Sequence, residues 1–195
     1  MATTTPHKEP PVFNLPNQLT AARLGLAVVL FVLIAWEQWI GCLLVFTLAA
    51  FTDWLDGYFA RKMNLISAVG RNFDPLVDKV LICGAYIFLL PVDNSGLTPW
   101  MATLVVAREL IITSLRSFLE NRGATFGADL LGKIKMVLQC GALLAVFLAL
   151  ETARCCPDLS AVMTPLQIGL IYAMLLATAL SGLQYLWKAA LLFRE

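Results

Sequence analysis

Charge is the first thing this sequence lacks. Only 14% of its 195 residues are Asp, Glu, Lys or Arg, against about 25% in an ordinary soluble domain. Histidine is scarcer still, with the single His7 standing in a polar, proline-bearing N-terminal stretch. The five cysteines form no CxxC pair, so neither a Cys/His zinc centre nor a disulfide scaffold is implied. Cys42, Cys83 and Cys140 lie in apolar runs and read as small core residues, while Cys155 and Cys156 fall in an expected loop. Lys+Arg at 14 against Asp+Glu at 13 leaves a net charge of +1, which gives no basic surface for nucleic acid. Short alternating segments are missing too, which argues against a β-barrel. No internal repeat is visible.

Apolar residues are what the chain has in excess. They make up 59% of it, against about 45–50% in soluble domains. One spanning helix needs about 20 mostly apolar residues, so the supply suffices for five or six. The apolar segments fall roughly at Gln18–Trp36, Gly41–Lys62, Asp74–Leu90, Pro99–Glu120, Leu130–Leu150 and Pro165–Leu192, parted by charges, Pro and Gly. The expected fold is an all-α integral membrane protein with six transmembrane helices. Residues 1–16 would form a polar juxtamembrane segment and 17–195 one six-helix domain. The N-terminus lacks the apolar core of a signal peptide and any transit-like pattern, so the expected compartment is a bacterial inner membrane. An even number of spans puts both termini on one side. All the basic residues but Arg154 lie near that side, with Arg108 close to mid-helix, so that side is expected to be the cytoplasm.

Against this background the acidic residues stand out. The second segment ends with Asp53, Asp56, Gly57, Ala60 and Arg61, spaced i, i+3, i+4, i+7, i+8, which share one helical face. The third carries Asp74 and Asp78 one turn apart. A short loop between the segments would make the two helices antiparallel neighbours. Four carboxylates would then converge at the cytoplasmic membrane boundary. Each Asp at bilayer centre costs about 2.5–3.5 kcal/mol, and neighbouring carboxylates repel. Hard oxygen donors suit Mg²⁺ or Mn²⁺. Two such ions would balance four Asp and leave positions for phosphate oxygens. Gly57 lets a ligand approach the backbone, Ala60 keeps the face shallow, and Arg61 can pair with a phosphate through its planar fork. The competing readings are structural ion pairs or an ion path.

At these residues the sequence resembles the CDP-alcohol phosphotransferase family, whose signature is D-x2-D-G-x2-A-R-x8-G-x3-D-x3-D. Asp53, Asp56, Gly57, Ala60, Arg61, Gly70, Asp74 and Asp78 fit every fixed position. Pro16-Asn17-x2-Thr20-x2-Arg23 resembles the family's opening of the first helix. Asp74-Pro75-x2-Asp78-Lys79, Ala107-Arg108-Glu109 with Arg116, and Gly132-Lys133-x-Lys135 are similar to the phosphatidylglycerophosphate synthase branch. The likeness covers roughly residues 16–140, and the last helix adds only hydrophobicity. The resemblance implies a six-helix fold, usually dimeric, with a cytoplasm-facing metal site between helices 2 and 3. It implies transfer of a phosphatidyl group from CDP-diacylglycerol to an alcohol, with release of CMP. Asp53, Asp56 and Asp74 would be the principal metal ligands. Asp78 would be a ligand, the general base, or both. Gly57, Ala60 and Arg61 would line the CDP-diacylglycerol site, with Asn17, Thr20 and Arg23 nearby. Cations beside Asp78 weaken it as a base, so its contribution as one must come from position.

The second substrate is read from cations. Arg108, Ile112 and Arg116 run i, i+4, i+8 on the fourth helix, and Lys133 and Lys135 open the fifth. A phosphorylated acceptor such as glycerol 3-phosphate needs such groups; inositol or choline needs them less. The bland alternatives are that Lys133 and Lys135 anchor the chain by snorkelling and that Glu109 or Glu120 satisfies an Arg on its own helix. Trp36, Trp39, Trp100 and Trp187 read as an interfacial belt, and Gly141-Ala142 as a point of close helix contact. The expected activity is metal-dependent phosphatidyl transfer to glycerol 3-phosphate in a membrane homodimer. The competitors are a cardiolipin or inositol-phosphate lipid synthase and, from another class, an ion transporter using the Asp cluster.

Overall fold

The computed structural model describes residues 15–63, 68–120 and 130–192, with side chains described for 21–52, 76–77, 79–119 and 130–191. The expected N-terminal segment 1–16 thus lies, apart from its last two residues, outside the described residues. Six helices occupy the described residues: α1 (Leu15–Ala35), α2 (Trp39–Met63), α3 (Ala68–Phe88), α4 (Pro99–Glu120), α5 (Leu130–Cys155) and α6 (Pro157–Leu192). Two of them, α5 and α6, are long and apolar enough to cross a membrane by length and composition.

Local chemistry sets the helix ends. At the end of α1, Glu37 takes a left-handed φ of 54°. Its N–H bonds Ile34 O at 2.9 Å, and Gln38 N–H bonds Leu33 O at 2.9 Å. This pair of bonds closes a helix in the Schellman manner. A non-glycine residue at positive φ costs free energy. Arg154, at the end of α5, engages both the Glu37 carboxylate and, at 2.6 Å, its carbonyl. Pro99 and Pro157 open α4 and α6 at the position where a missing N–H costs nothing. The Cys156 carbonyl accepts from Leu159 and Ser160 at 3.0 and 3.1 Å. This start corrects the expected loop at 155–158: Cys155 still belongs to α5, and α6 begins eight residues before Pro165, which it carries internally.

The helices form a ring in which α1 stands against α2 and α3, α3 against α4, α4 against α6, α6 against α5, and α5 back against α2, with α3 also meeting α5. The expected meeting of α2 and α3 falls on the end of one and the start of the other, whose side chains lie outside those described; among the described residues α1 contacts both helices. Phe46 and Phe147 join α2 to α5 edge-on, with centroids 6.2 Å apart. Phe31 stacks on Phe88 at 4.8 Å and lies over Gly84, where a Cβ would stand 2.2 Å from the Phe31 Cζ. Small-residue contact therefore occurs at Gly84. At the expected Gly141-Ala142 point, Ala142 is buried but a Cβ on Gly141 would meet nothing within 4 Å.

The outer surface is apolar: Leu44, Val137 and Leu183 are 65% exposed or more. Trp36, Trp100 and Trp187 are exposed, as a belt requires, whereas Trp39 is 2% exposed. The belt reading fails for Trp39 because its ring packs into the core beneath the Arg154 guanidinium, 5.4 Å away.

Gly84→Ala should destabilise the protein by about 1–3 kcal/mol through overpacking. Gly25→Ala, where a Cβ meets nothing within 4 Å, should leave stability unchanged or raise it. Thermal unfolding of the two variants in detergent measures the contrast, and equal midpoints would contradict the α1–α3 packing.

Candidate active site

The motif carboxylates lie on regular helices. Asp53, Asp56, Gly57, Ala60 and Arg61 fall in the C-terminal part of α2, and Asp74 and Asp78 in the N-terminal half of α3. The helical backbone thus provides the expected spacing, including the one-turn separation of Asp74 and Asp78. The side chains of these seven residues lie outside those described, as do those of Asn17 and Thr20 near the start of α1. Four carboxylates without sulfur or imidazole would, as a donor set, fit Mg²⁺ or Mn²⁺ rather than a softer metal. Among the described residues there is no cluster of three or more His, Cys, Asp or Glu that could hold an ion. Arg23 is 2% exposed and lies on the α1 face that also buries Ala27, Leu30 and Ile34.

A second centre forms where α4, α5 and α6 meet. Its middle is Glu109. Lys135 Nζ from α5 and Arg108 Nη1 from α4 both donate to Glu109 Oε1, the latter at 3.1 Å. The Glu109 and Lys135 side chains are 10% and 6% exposed. Charges this deep persist only when paired. Arg108 Nη2 donates to Ser181 Oγ on α6 at 2.5 Å. The buried Arg108 Nε has no partner among the described groups, so the guanidinium keeps capacity for another acceptor. The Arg108 stem lies against Gly182, where a Cβ would stand 3.4 Å from its Cγ. With Leu104, Ile111 and Leu183 the stem borders an apolar cavity of about 320 Å³ between α4 and α6.

Arg116, two turns along α4, donates from Nη2 to Tyr185 Oη at 2.5 Å. The structure therefore brings Arg108 and Lys135 together through Glu109 and ties Arg116 to the same face of α6. Lys133 is exposed, because residues two apart on a helix point to nearly opposite sides. The reading in which Glu109 satisfies an Arg of its own helix is realised, and Glu109 holds Lys135 as well. Lys79 on α3 adds positive potential at Glu109. It directly follows Asp78 in the chain, on the helix α3 that packs against α4 and α5.

Ser181 and Tyr185 are not singled out by the sequence reading, which names Glu109 only within the Ala107-Arg108-Glu109 motif and as a partner for an Arg of its own helix. Ser181 and Tyr185 are 73 and 69 residues from their arginines. The available signal was the polar series Thr178, Ser181 and Tyr185, spaced i, i+3, i+7 in a mostly apolar helix, a pattern that faces inward if the helix is in lipid. The view that the last helix adds only hydrophobicity is corrected by these two bonds.

Fold and site together define a helical, membrane-associated protein with an apolar exterior and an ion-paired centre of Arg108, Glu109 and Lys135 inside the bundle. Residues 13–192 match the family model of the CDP-alcohol phosphatidyltransferases, and the chain belongs to that family. The CDP-diacylglycerol–glycerol-3-phosphate 3-phosphatidyltransferase of Bacillus subtilis (strain 168) is 37% identical over 153 residues, or 70% of this chain and 78% of the relative. The enzyme of the same name from Rickettsia typhi is 40% identical over 134 residues, 67% and 74% of the two chains. That of Salmonella choleraesuis is 34% identical over 137 residues, 67% and 75%.

Glu109→Ala should cost about 3–5 kcal/mol, the penalty for stranding buried charge, and Glu109→Ala/Lys135→Met should recover part of it. Thermal unfolding in detergent reads both. A single-variant loss under about 1 kcal/mol, the range of an exposed pair, would contradict the buried arrangement.

Proposed function

We propose that this chain transfers the phosphatidyl group of CDP-diacylglycerol to glycerol 3-phosphate, giving phosphatidylglycerophosphate and CMP. The observation that carries the reading is the packing of α3, the helix of Asp74 and Asp78, against α4 and α5, which bear the Glu109 cation centre. The family membership and the names of the three relatives support it.

In this reading the chain has six spans, with both termini and the site facing the cytoplasm of a bacterial inner membrane, and acts as a homodimer. Residues 17–195 form the catalytic domain. Asp53, Asp56, Asp74 and Asp78 would hold two Mg²⁺ or Mn²⁺ ions, which when bound would neutralise charge along the pyrophosphate and on the departing CMP. Gly57, Ala60 and Arg61, with Asn17, Thr20 and Arg23, line the CDP-diacylglycerol site. Arg108, Arg116 and Lys135 take the acceptor's phosphate, while Lys133 stands on the other, exposed side of α5. The acceptor hydroxyl oxygen attacks the phosphatidyl phosphorus, the bond from that phosphorus to the CMP oxygen breaks, and Asp78 takes the hydroxyl proton. Cation recognition explains the choice of acceptor: a phosphate monoester gains charge-assisted bonds that inositol or choline cannot make.

An acceptor panel with labelled CDP-diacylglycerol tests this directly. CMP release should require glycerol 3-phosphate and a divalent metal. Indifference to glycerol 3-phosphate rejects the acceptor, and release persisting in EDTA rejects metal dependence. Asp78→Asn should lower turnover by at least about 100-fold, the lower range for general-base catalysis; normal turnover would remove Asp78 as the base.

A further inference from the structure

We propose that Tyr185 is a positioning residue that sets the spacing of Arg108 and Arg116 so that the pair receives a dianionic phosphate monoester. The inference rests on the transfer reaction proposed above and deepens its acceptor site. Arg108 and Arg116 are eight residues apart on α4, about 12 Å along the axis at 1.5 Å per residue. At that separation two guanidinium groups share one phosphate only if their side chains lean toward each other. Tyr185 stands where they would meet. Its ring lies 6.0 Å from Arg108 Cζ and 5.3 Å from Arg116 Cζ, within cation–π range of both. Its hydroxyl accepts from Arg116 Nη2 at 2.5 Å.

The two arginines depend on Tyr185 unequally. Arg108 is also held by Glu109 and Ser181. Arg116 is exposed as a residue, whereas Tyr185 is 4% exposed. The tyrosine is therefore the fixed partner and the arginine the one being placed. A free Arg side chain carries about 2 kcal/mol of rotamer entropy. Tethering it to a buried aromatic ring before the acceptor arrives removes much of that loss from the binding step. The tether leans toward α5: a Cβ on Gly132 would stand 3.9 Å from the Tyr185 hydroxyl, three residues before Lys135. The arrangement thus directs Arg116 toward the cation centre.

Steady-state kinetics of the purified full chain in detergent micelles, with each substrate varied in turn, test the assignment. Tyr185→Phe should raise KM for glycerol 3-phosphate about tenfold, the effect of losing one hydrogen bond to a charged group. Its kcat and its KM for CDP-diacylglycerol should stay within about twofold of wild type. Tyr185→Leu, which also removes the ring, should raise the acceptor KM further. In an Arg116→Ala background Tyr185→Phe should add nothing, since its action passes through that arginine. For wild type, acceptor affinity should climb from pH 5.5 to 7.5 as the phosphate loses its second proton near pH 6, and Tyr185→Phe should flatten the climb. An unchanged acceptor KM, parallel changes for both substrates, or multiplicative effects in the double variant would overturn the positioning assignment while the transfer reaction stands. A wild-type protein that turns over CDP-diacylglycerol without using glycerol 3-phosphate would overturn the underlying reaction, and the assignment with it.

Discussion

One carboxylate, Glu109, holds the interior of this protein together. It accepts from a lysine on α5 and from its neighbouring arginine on α4, in surroundings where ions are too costly to stand alone. The shared oxygen fixes α4 against α5 at one register. It also leaves the second nitrogen of Arg108 turned toward Ser181, which ties in α6. Three helices that would otherwise meet through interchangeable apolar side chains acquire a specific alignment. Apolar packing in lipid is weakly directional, since lipid tails are as apolar as leucine.

The same centre explains how the chain reconciles an oily exterior with polar work. Leucines and valines cover the outside, while the polar side chains of α4, α5 and α6 turn inward onto one another. A substrate with acyl chains can remain in the lipid while its polar head enters the bundle. A water-soluble phosphate has to come from the aqueous side. Arg116, nearer the α4 terminus and exposed, stands ahead of the buried Arg108 and Lys135. Reception by an accessible cation followed by capture on buried ones is the ordering such a layout favours.

Much of this was legible from spacing. The Asp53–Arg61 face, the Asp74–Asp78 pair and the Arg108–Arg116 row are short-range patterns, and a helix converts each of them directly into geometry. The helix positions were legible for the same reason, because long apolar runs between breakers leave few choices. What was missed depends on contacts between distant segments. Lys133 and Lys135 look equivalent in sequence, yet one is exposed and the other is buried on Glu109, and no local rule chooses between them. Trp39 looked interfacial because it sits at a helix start, but its burial follows from a packed core that the sequence does not display. The start of α6 was missed by treating Cys155–Asp158 as a breaker, although Pro157 is the proline that opens the helix. Ser181 and Tyr185 were hidden in a helix read for hydropathy alone.

The placement of opposite charges raises a final physical point. Asp78 and Lys79 are neighbours on α3, which packs against α4 and α5. A group of carboxylates beside a group of cations would neutralise itself, and neither would then be available to a ligand. Glu109 opposes that outcome by engaging Lys135 and Arg108 within their own centre, and Tyr185 does the same for Arg116. With these ties, Arg108, Arg116 and Lys135 against Glu109 retain an excess of two positive charges, matched to a phosphate dianion. In the proposed reading the four aspartates would hold divalent cations instead. The internal ion pair thus holds Arg108 and Lys135 within their own centre on α4 and α5.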